Sequence, residues 1–328
     1  MKTVFAPASM FSIAVRRGLA ALALASLSAG ATAQAVSRII VPFGAGGARE
    51  LPARAIQTEL GQAMGENWII DYRQGAGGAI GTAYVDRATP DGKTLLMAAS
   101  SHFVTAAMGA QPPYDPIKDF VPVANIGKQS YVLLVSADLP VSNLAEFIKY
   151  ARARPGKLNY NSAGIASSTH LAMAYLMHAA GITMMHIPYK STAEAANEVL
   201  GGRGQAVFMP TAGLSAYLQN PKMRVLGISS ARRSTLLPQL PTLAESGLPG
   251  YAFESWFGLL APKGTPPARV EAINAAVNKV VAQKAVADRL HNFGIETAPL
   301  SVADFDKLFL ADHDLMYRVV HDSGIKRE

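Results

Sequence analysis

The chain has 328 residues, of which 50% are hydrophobic and only 16% charged, and it contains no cysteine. This length favours two domains, and the apolar content is sufficient for a large core. The lack of cysteine excludes a disulfide framework, a thiolate metal site and a cysteine nucleophile.

The first residues have the composition of an export leader. Three basic residues lie within the first 17 positions, and an apolar run follows at 18–27. This run is shorter than the roughly 20 residues that cross a bilayer, and small residues suited to a signal peptidase follow at 31–33. We predict a cleaved signal peptide over 1–33 and a periplasmic mature protein. The alternative is a buried or anchoring N-terminal helix.

The remaining charge is modest. Removing the three basic residues of the leader from the 30 Lys and Arg leaves 27 against 23 Asp and Glu, a net charge of +4. A nucleic-acid partner requires a dense basic stripe, which this chain lacks. The mild excess is compatible with the binding of small anions.

The mature chain alternates strand-like and helix-like segments. Apolar runs predict strands at 38–43, 68–72, 94–98, 131–135, 158–161, 184–188, 205–209, 224–229 and 256–262. Helical spacing predicts helices at 50–64, 80–88, 168–180, 193–200, 267–283, 285–293 and 302–323. Asn143 followed by Glu146 starts a further helix through a capping box. The segment 236–251 is expected to hold a short helix and a turn. This alternation predicts an α/β fold with parallel sheets flanked by helices.

Three loops carry the chemistry expected of a binding cleft: 44–47, 75–78 and 162–169. Each is glycine-containing, follows a strand and precedes a helix, so that backbone N–H groups and the helix dipole favour an anion there. Ser100 and Ser101 end another strand and add hydroxyls. For any single loop a plain tight turn is the competing interpretation.

Two enzyme-like interpretations fit poorly. The 75–81 segment resembles a dinucleotide fingerprint, but its spacing is wrong and the next strand ends in Ala98, Ala99 and Ser100 instead of an acidic residue. The chain has neither a G-x-S-x-G elbow nor a P-loop, and its histidines and acids show no metal-binding spacing. We expect no cofactor, no metal and no catalysis.

The order of short motifs resembles the Bug receptors, the TctC-like extracytoplasmic solute-binding proteins of tripartite tricarboxylate transporters. The segments that carry the resemblance are 41–47, 75–78, 90–96, 113–116, 155–160, 162–164, 169–171, 186–190 and 256–258. The resemblance implies a two-lobed Venus-flytrap fold, with lobe 1 formed by 36–135 and 258–328 and lobe 2 by 136–257. It also implies a carboxylate ligand and a membrane permease as partner. We predict hinge strands near 135–138 and 255–258, where the chain is expected to cross between the lobes. We expect a monomer.

The resemblance and the loop chemistry together give a set of candidate ligand-binding residues. They are Phe43, Ala45, Gly46, Gly47, Arg49, Glu50, Gly77, Gly78, Ser100, Ser162, Ala163, Gly164, Ser167, Ser168, Thr169, His170 and Met209.

Departures from the family pattern bear on the ligand. Arg49 stands where a small residue is usual, Glu50 where Asp is usual, and Met209 where many members have Asp. Loss of an acid and gain of Arg49 argue against an amino-acid ligand and favour a di- or tricarboxylate or an aromatic acid. Arg49 either pairs with a ligand carboxylate or is a solvated side chain at the rim. His170 either faces the ligand or is a structural hydrogen-bonding residue.

Two other functions use the same fold. A ligand-sensing co-receptor of a membrane sensor kinase would have the same cleft, and a periplasmic α/β enzyme would show turnover. The transport receptor is favoured over both.

Overall fold

The computed structural model describes residues 36–45 and 48–325. The predicted signal peptide at 1–33 and the candidate residues Gly46 and Gly47 lie outside the described residues. Within the described residues, no helix is both long and apolar enough to span a membrane.

Ten strands and ten helices form the described part of the chain. The strands are β1 (Val36–Val41), β2 (Asn67–Tyr72), β3 (Thr94–Ala99), β4 (Phe120–Ser136), β5 (Asn159–Ser162), β6 (Met185–Pro188), β7 (Ala206–Pro210), β8 (Met223–Ile228), β9 (Glu254–Pro262) and β10 (Glu296–Thr297). The helices are α1 (Glu50–Met64), α2 (Ala79–Asp86), α3 (Val104–Ala107), α4 (Leu144–Arg152), α5 (Ser168–Ala180), α6 (Thr192–Leu200), α7 (Ser215–Leu218), α8 (Pro267–Val281), α9 (Lys284–Asn292) and α10 (Val302–Asp322). Short 3-10 turns lie at Ala76–Gly78 and Ser100–His102.

The first sheet has the order β2-β1-β3-β9-β4, and β10 pairs with β4. β1 is parallel to β2 and β3, with Ile39 level with Ile70 and Leu95. Ile39, Ile40 and Val41 are fully buried, because helices cover both faces of a parallel sheet. The parallel arrangement brings the C-terminal ends of β1, β2 and β3 to one edge.

Strand β4 joins two sheets. Residues up to Ser130 pair antiparallel with β9, and from Tyr131 onwards the strand pairs with β7 and β8. The second sheet also contains β5, which is parallel to β6 and β7. Parallel pairs thus form the core of each sheet, as predicted, and β4 and β9 add antiparallel pairs where the chain crosses. The two-lobed α/β class is confirmed, while the residue ranges given for the lobes stay a prediction.

The C-terminal helix α10 covers the crossing. Phe305, Phe309, Met316 and Val319 recur at helical spacing and are buried, and the Phe309 ring meets the Phe103 ring edge-on at 4.8 Å. Asp312 lies on the same buried face. The helix therefore brings a carboxyl group into an apolar interior.

Two segments differ from the predictions. β4 begins at Phe120, well before the predicted 131, because polar residues and Pro122 break its apolar pattern; Pro122 sits where the β4–β9 register shifts. In the 236–251 segment, Glu245 and Thr242 form the reciprocal bonds of a capping box at 2.9 and 3.0 Å. Only a turn follows, because Gly247 and Gly250 take positive φ values.

Candidate functional site

The loops that follow β1, β2 and β3 meet at one place. A side chain at Gly78 would lie 3.1 Å from the Phe43 ring, so the second glycine loop packs directly against the end of the first. Gly78 has a φ of 96° and Gly77 a φ of 66°, a region that favours glycine. Ala45, two residues after Phe43, is exposed. The 75–78 loop therefore lies against the end of the first loop, while the convergence of both with the 162–169 loop stays a prediction.

Arg49 lies at the centre of this cluster. Its guanidinium carbon is 4.5 Å from the centroid of the Phe43 ring, and Nη2 donates to the Ser101 hydroxyl at 2.7 Å. Only 7% of the residue is exposed, so the interpretation of Arg49 as a solvated rim residue is wrong. The Phe43 ring and the Ser101 hydroxyl, which belongs to the 3-10 turn Ser100–His102, hold the guanidinium inside the protein.

Two neutral side chains, those of Tyr114 and His102, interact with the charge of Arg49. The charge of Arg49 is felt by Tyr114, whose pKa is raised by burial, and by His102, whose pKa burial lowers to about 4. His102 Nε2 is bonded to the Pro116 carbonyl at 2.9 Å. Among residues 36–45 and 48–325, no carboxylate forms an ion pair with Arg49.

Burial lowers the pKa of Arg49 itself to about 10, so the guanidinium is still charged at neutral pH. Arg49 directly precedes α1, and the N-terminal end of a helix carries partial positive charge. Glu50, the first residue of α1, accepts hydrogen bonds from Arg54 Nε and from the Tyr72 hydroxyl. Arg49 thus places a buried positive charge at the start of α1.

The second lobe contributes the turn between β5 and α5. Ser167 caps α5 by accepting from His170 N, and the first N–H groups of such a helix have no acceptor within it. The Thr169 hydroxyl accepts from Ala163 N at 3.0 Å, and the Ser162 hydroxyl accepts from Gly164 N at 3.1 Å. The N–H groups of Ala163 and Gly164 are thus already bonded inside the turn.

The crossing strands connect the two sets of loops. Trp256 N donates to the Ser100 hydroxyl at 3.1 Å, and the neighbouring Ser255 hydroxyl lies 2.8 Å from the Tyr131 hydroxyl. Burial raises the pKa of Tyr131, and hydrogen bonds with Ser168 and Ser255 oppose this rise. Ser100 therefore contacts the start of β9 directly, and Ser168 is linked to the neighbouring Ser255 through the Tyr131 hydroxyl.

Asp312 completes this connection. Its Oδ2 accepts from Trp256 Nε1 at 2.8 Å. Burial raises the pKa of Asp312 to about 7, although the bonds from Trp256 and Ser100 favour the charged form. A titratable carboxyl group thus lies where the two lobes join.

Two predicted residues have packing or bonding partners within the protein. Met209 is 3% exposed and belongs to a hydrophobic cluster with Val132 and Leu214. His170 Nδ1 accepts from Ala166 N at 3.1 Å, which is a bond within the turn. Their contact with a ligand stays a prediction.

Sequence reasoning did not assign Tyr114, Tyr131, Ser255 or Asp312 to the site. For Asp312 a signal exists, because the acid occupies a position on the apolar stripe of α10. The tyrosines look like ordinary core aromatics in the sequence.

A separate groove of about 860 Å³ lies along the outer face of α2, lined in part by Ile80, Tyr84 and Arg87. None of the candidate ligand-binding residues lines it. Within the described residues, no cluster of histidines and acids has the arrangement of a metal site.

A two-lobed α/β fold whose strand-to-helix loops lie near the strands that cross between the lobes is typical of solute-binding proteins. The family described as "Tripartite tricarboxylate transporter family receptor" matches residues 52–324. The chain belongs to this family.

Relatives and solved structures agree with this assignment. The chain is 36% identical over 307 residues to the "UPF0065 protein in tcbD-tcbE intergenic region" of Pseudomonas sp. (strain P51), covering 90% of this chain and 91% of that protein. It is 30% identical to an R. palustris protein solved with adipate, with a TM-score of 0.73 over 88% of this chain and 97% of the other. MatC from Rhodopseudomonas palustris, solved with bound malate, is 28% identical with a TM-score of 0.70 over 87% and 98% of the two chains.

Proposed function

We propose that the protein is a periplasmic receptor that captures a small dicarboxylate and delivers it to the membrane permease of a tripartite transporter. The observation that carries this proposal is the buried guanidinium of Arg49, which has no carboxylate partner among residues 36–45 and 48–325.

Burial of a charge without a counter-ion is costly, and the cost is offset when a carboxylate joins the cation. Ser101 takes one guanidinium N–H of Arg49, and a guanidinium has five, so that donors remain for a planar carboxylate. The positive end of α1 acts in the same direction. Arg49 therefore selects for an anionic group at the mouth of the first lobe.

The second lobe would hold the other end of the ligand. Ser167, Ser168 and Thr169 offer hydroxyls and open helix N–H groups, which suit a second carboxylate or a hydroxyl group. Adipate and malate, the molecules found with two relatives, are both dicarboxylates. Closure about the crossing strands would bring the second set of donors onto a ligand already held by Arg49.

The test is a calorimetric titration of the mature protein with adipate, malate, citrate, benzoate and glutamate. We expect saturable binding of at least one diacid, with benzoate and glutamate much weaker. Substitution Arg49→Met should reduce the affinity about 10- to 100-fold, since a bond to a charged group contributes about 1.5–3 kcal/mol.

Arg154→Met is the matched control. Arg154 also stacks on an aromatic ring, at 3.9 Å from Tyr150, but it is exposed. This variant should bind like the unaltered protein. Equal binding of diacids by the Arg49 and Arg154 variants would refute the assigned role of Arg49. If benzoate bound most tightly, the ligand class would be aromatic acids and not dicarboxylates.

A further inference from the structure

The turn between β5 and α5 has an unusual backbone. Gly164 has a φ of 108° and Ala166 a φ of 60°, and the latter is a region that residues with a side chain rarely adopt. Ser167 N closes the turn on the Gly164 carbonyl at 3.2 Å. Something outside the turn must therefore hold Ala166 in place.

His170 stabilises this conformation of Ala166 through a hydrogen bond. Ala166 N donates to His170 Nδ1 at 3.1 Å, so Nδ1 is an acceptor and the ring proton of a neutral His170 is on Nε2. Because His170 is itself in the first turn of α5, this bond ties the strained residue to the helix that follows.

His186 holds the other end of the turn. Its Nε2 lies 2.6 Å from the Ser162 hydroxyl, and the same hydroxyl accepts from Gly164 N. The His186 ring stacks on the His170 ring with centroids 3.9 Å apart and planes inclined by 20°. The two imidazoles thus form one stacked unit that contacts both ends of the turn.

The surroundings of the stack favour its neutral form. The Tyr160 ring of β5 lies 4.9 Å from His186 and 6.1 Å from His170, and burial raises the pKa of its phenol. No carboxylate pairs with either ring among residues 36–45 and 48–325; the ion pair of α5 is between His178 and Asp322, at the other end of the helix. Burial, and then the neighbouring His186, lower the pKa of His170 to about 4, and burial lowers the pKa of His186.

Protonation would disrupt this arrangement in two ways. A proton on His170 Nδ1 would face the N–H of Ala166, replacing a hydrogen bond by two opposed donors. Two charged rings at the observed centroid distance would also repel each other. The shape of the turn therefore depends on uncharged imidazoles.

We propose that His170 and His186 are positioning residues, a stacked pair of neutral imidazoles that fixes the 162–167 turn in the shape that presents its hydroxyls and helix N–H groups to the ligand. The proposal rests on the proposed function only in assigning the ligand to this turn. His170 thereby acts through Ala166 and not by touching the ligand.

The first measurement needs no variant. In the unaltered protein with ¹⁵N-labelled histidine, the ring nitrogens of His170 should show the Nε2–H tautomer and no titration between pH 8 and pH 5. Below pH 5 the exchange protection of the Ala166 amide should be lost in step with the titration of His170. A proton on Nδ1, or a charged His170 at pH 7, would overturn the proposal.

The second measurement uses His170→Asn and His170→Leu with adipate as the probe. The amide of Asn can place an oxygen near the position of Nδ1, so His170→Asn should retain the affinity within about 2-fold, while His170→Leu should lose about 10-fold. His178→Leu on the exposed face of the same helix is the control and should bind like the unaltered protein. Equal loss in the Asn and Leu variants would contradict a role as acceptor.

The two measurements separate this proposal from the proposed function. Failure of the unaltered protein to bind any diacid would count against the proposed function. The tautomer of His170 and the exchange of the Ala166 amide would still decide whether the pair fixes the turn.

Discussion

The loops of the first lobe hold a buried guanidinium, whereas the turn of the second lobe is built from neutral hydroxyls and imidazoles. Around Arg49, an aromatic ring and a hydroxyl fill the space without neutralising the charge. Around Ala166, in contrast, three N–H groups of the turn, those of Ala163, Gly164 and Ala166, are bonded to the side chains of Thr169, Ser162 and His170. Under the proposed function, the first lobe would attract the ligand through charge and the second would fix its orientation through geometry.

The largest effect is expected from Gly78→Ala. A Cβ at Gly78 would approach the Phe43 ring to 3.1 Å at a φ of 96°, so the change adds overpacking to backbone strain. We expect a loss of about 2–4 kcal/mol in the free energy of unfolding, measured by chemical denaturation, together with weaker diacid binding as Phe43 moves against Arg49.

Gly109→Ala is the control for strain alone. Gly109 has a φ of 79°, but a Cβ there would meet nothing within 4 Å. This variant should lose only about 1–2 kcal/mol and bind the diacid normally. Equal losses in the two variants would show that the contact between the glycine loop and Phe43 contributes nothing.

A second prediction concerns Asp312, which lies between the two regions. Its pKa of about 7 means that the folded protein retains a proton which the unfolded chain releases near pH 4. Because the folded state binds more protons in this window, raising the pH from about 4 to 7 lowers the stability that this group contributes.

Asp312→Asn removes this titration and can still accept from Trp256 Nε1. Its melting temperature should rise relative to the unaltered protein as the pH goes from 5 to 8, by about 2–4 °C for each kcal/mol. A difference that stays constant over this range would mean that Asp312 does not titrate there.

The smallest effect is expected in the second lobe. Thr169→Val removes the hydroxyl that accepts from Ala163 N and keeps the shape of the side chain. A neutral hydrogen bond contributes about 0.5–1.5 kcal/mol, so the diacid affinity should fall about 5-fold by calorimetry. Thr169→Ser should restore it. A loss as large as that of an Arg49 variant would remove the distinction between the two lobes.

Much of the architecture was predictable from periodicity. Helices α1 and α5 begin and end at the predicted residues, and the three loops of the first lobe lie together because parallel strands end at one edge. The first part of β4 was not predictable, because Asn125 and Gln129 look like loop residues in the sequence. In the structure their side chains donate to the distant carbonyls of Ala298 and Phe293.

The environment of the site was less predictable than its position. The sequence offered Arg49 as a candidate, but its burial depends on Phe43, Tyr114 and Ser101, which come from separate segments. The stacking of His170 on His186 likewise requires the pairing of β5 with β6, which no local pattern specifies. Long-range contacts of this kind determine which candidate side chains are charged, buried or already bonded.

The role of Arg49 as the carboxylate partner is tested most directly by comparing adipate with hexanoate, which has the same chain length and one carboxylate. Calorimetry on the unaltered protein and on Arg49→Met gives the four affinities of a double-mutant cycle. We expect the unaltered protein to prefer adipate strongly and Arg49→Met to lose most of this preference, with a coupling of about 1.5–3 kcal/mol. An unchanged preference in Arg49→Met would show that the second carboxylate does not bind at Arg49.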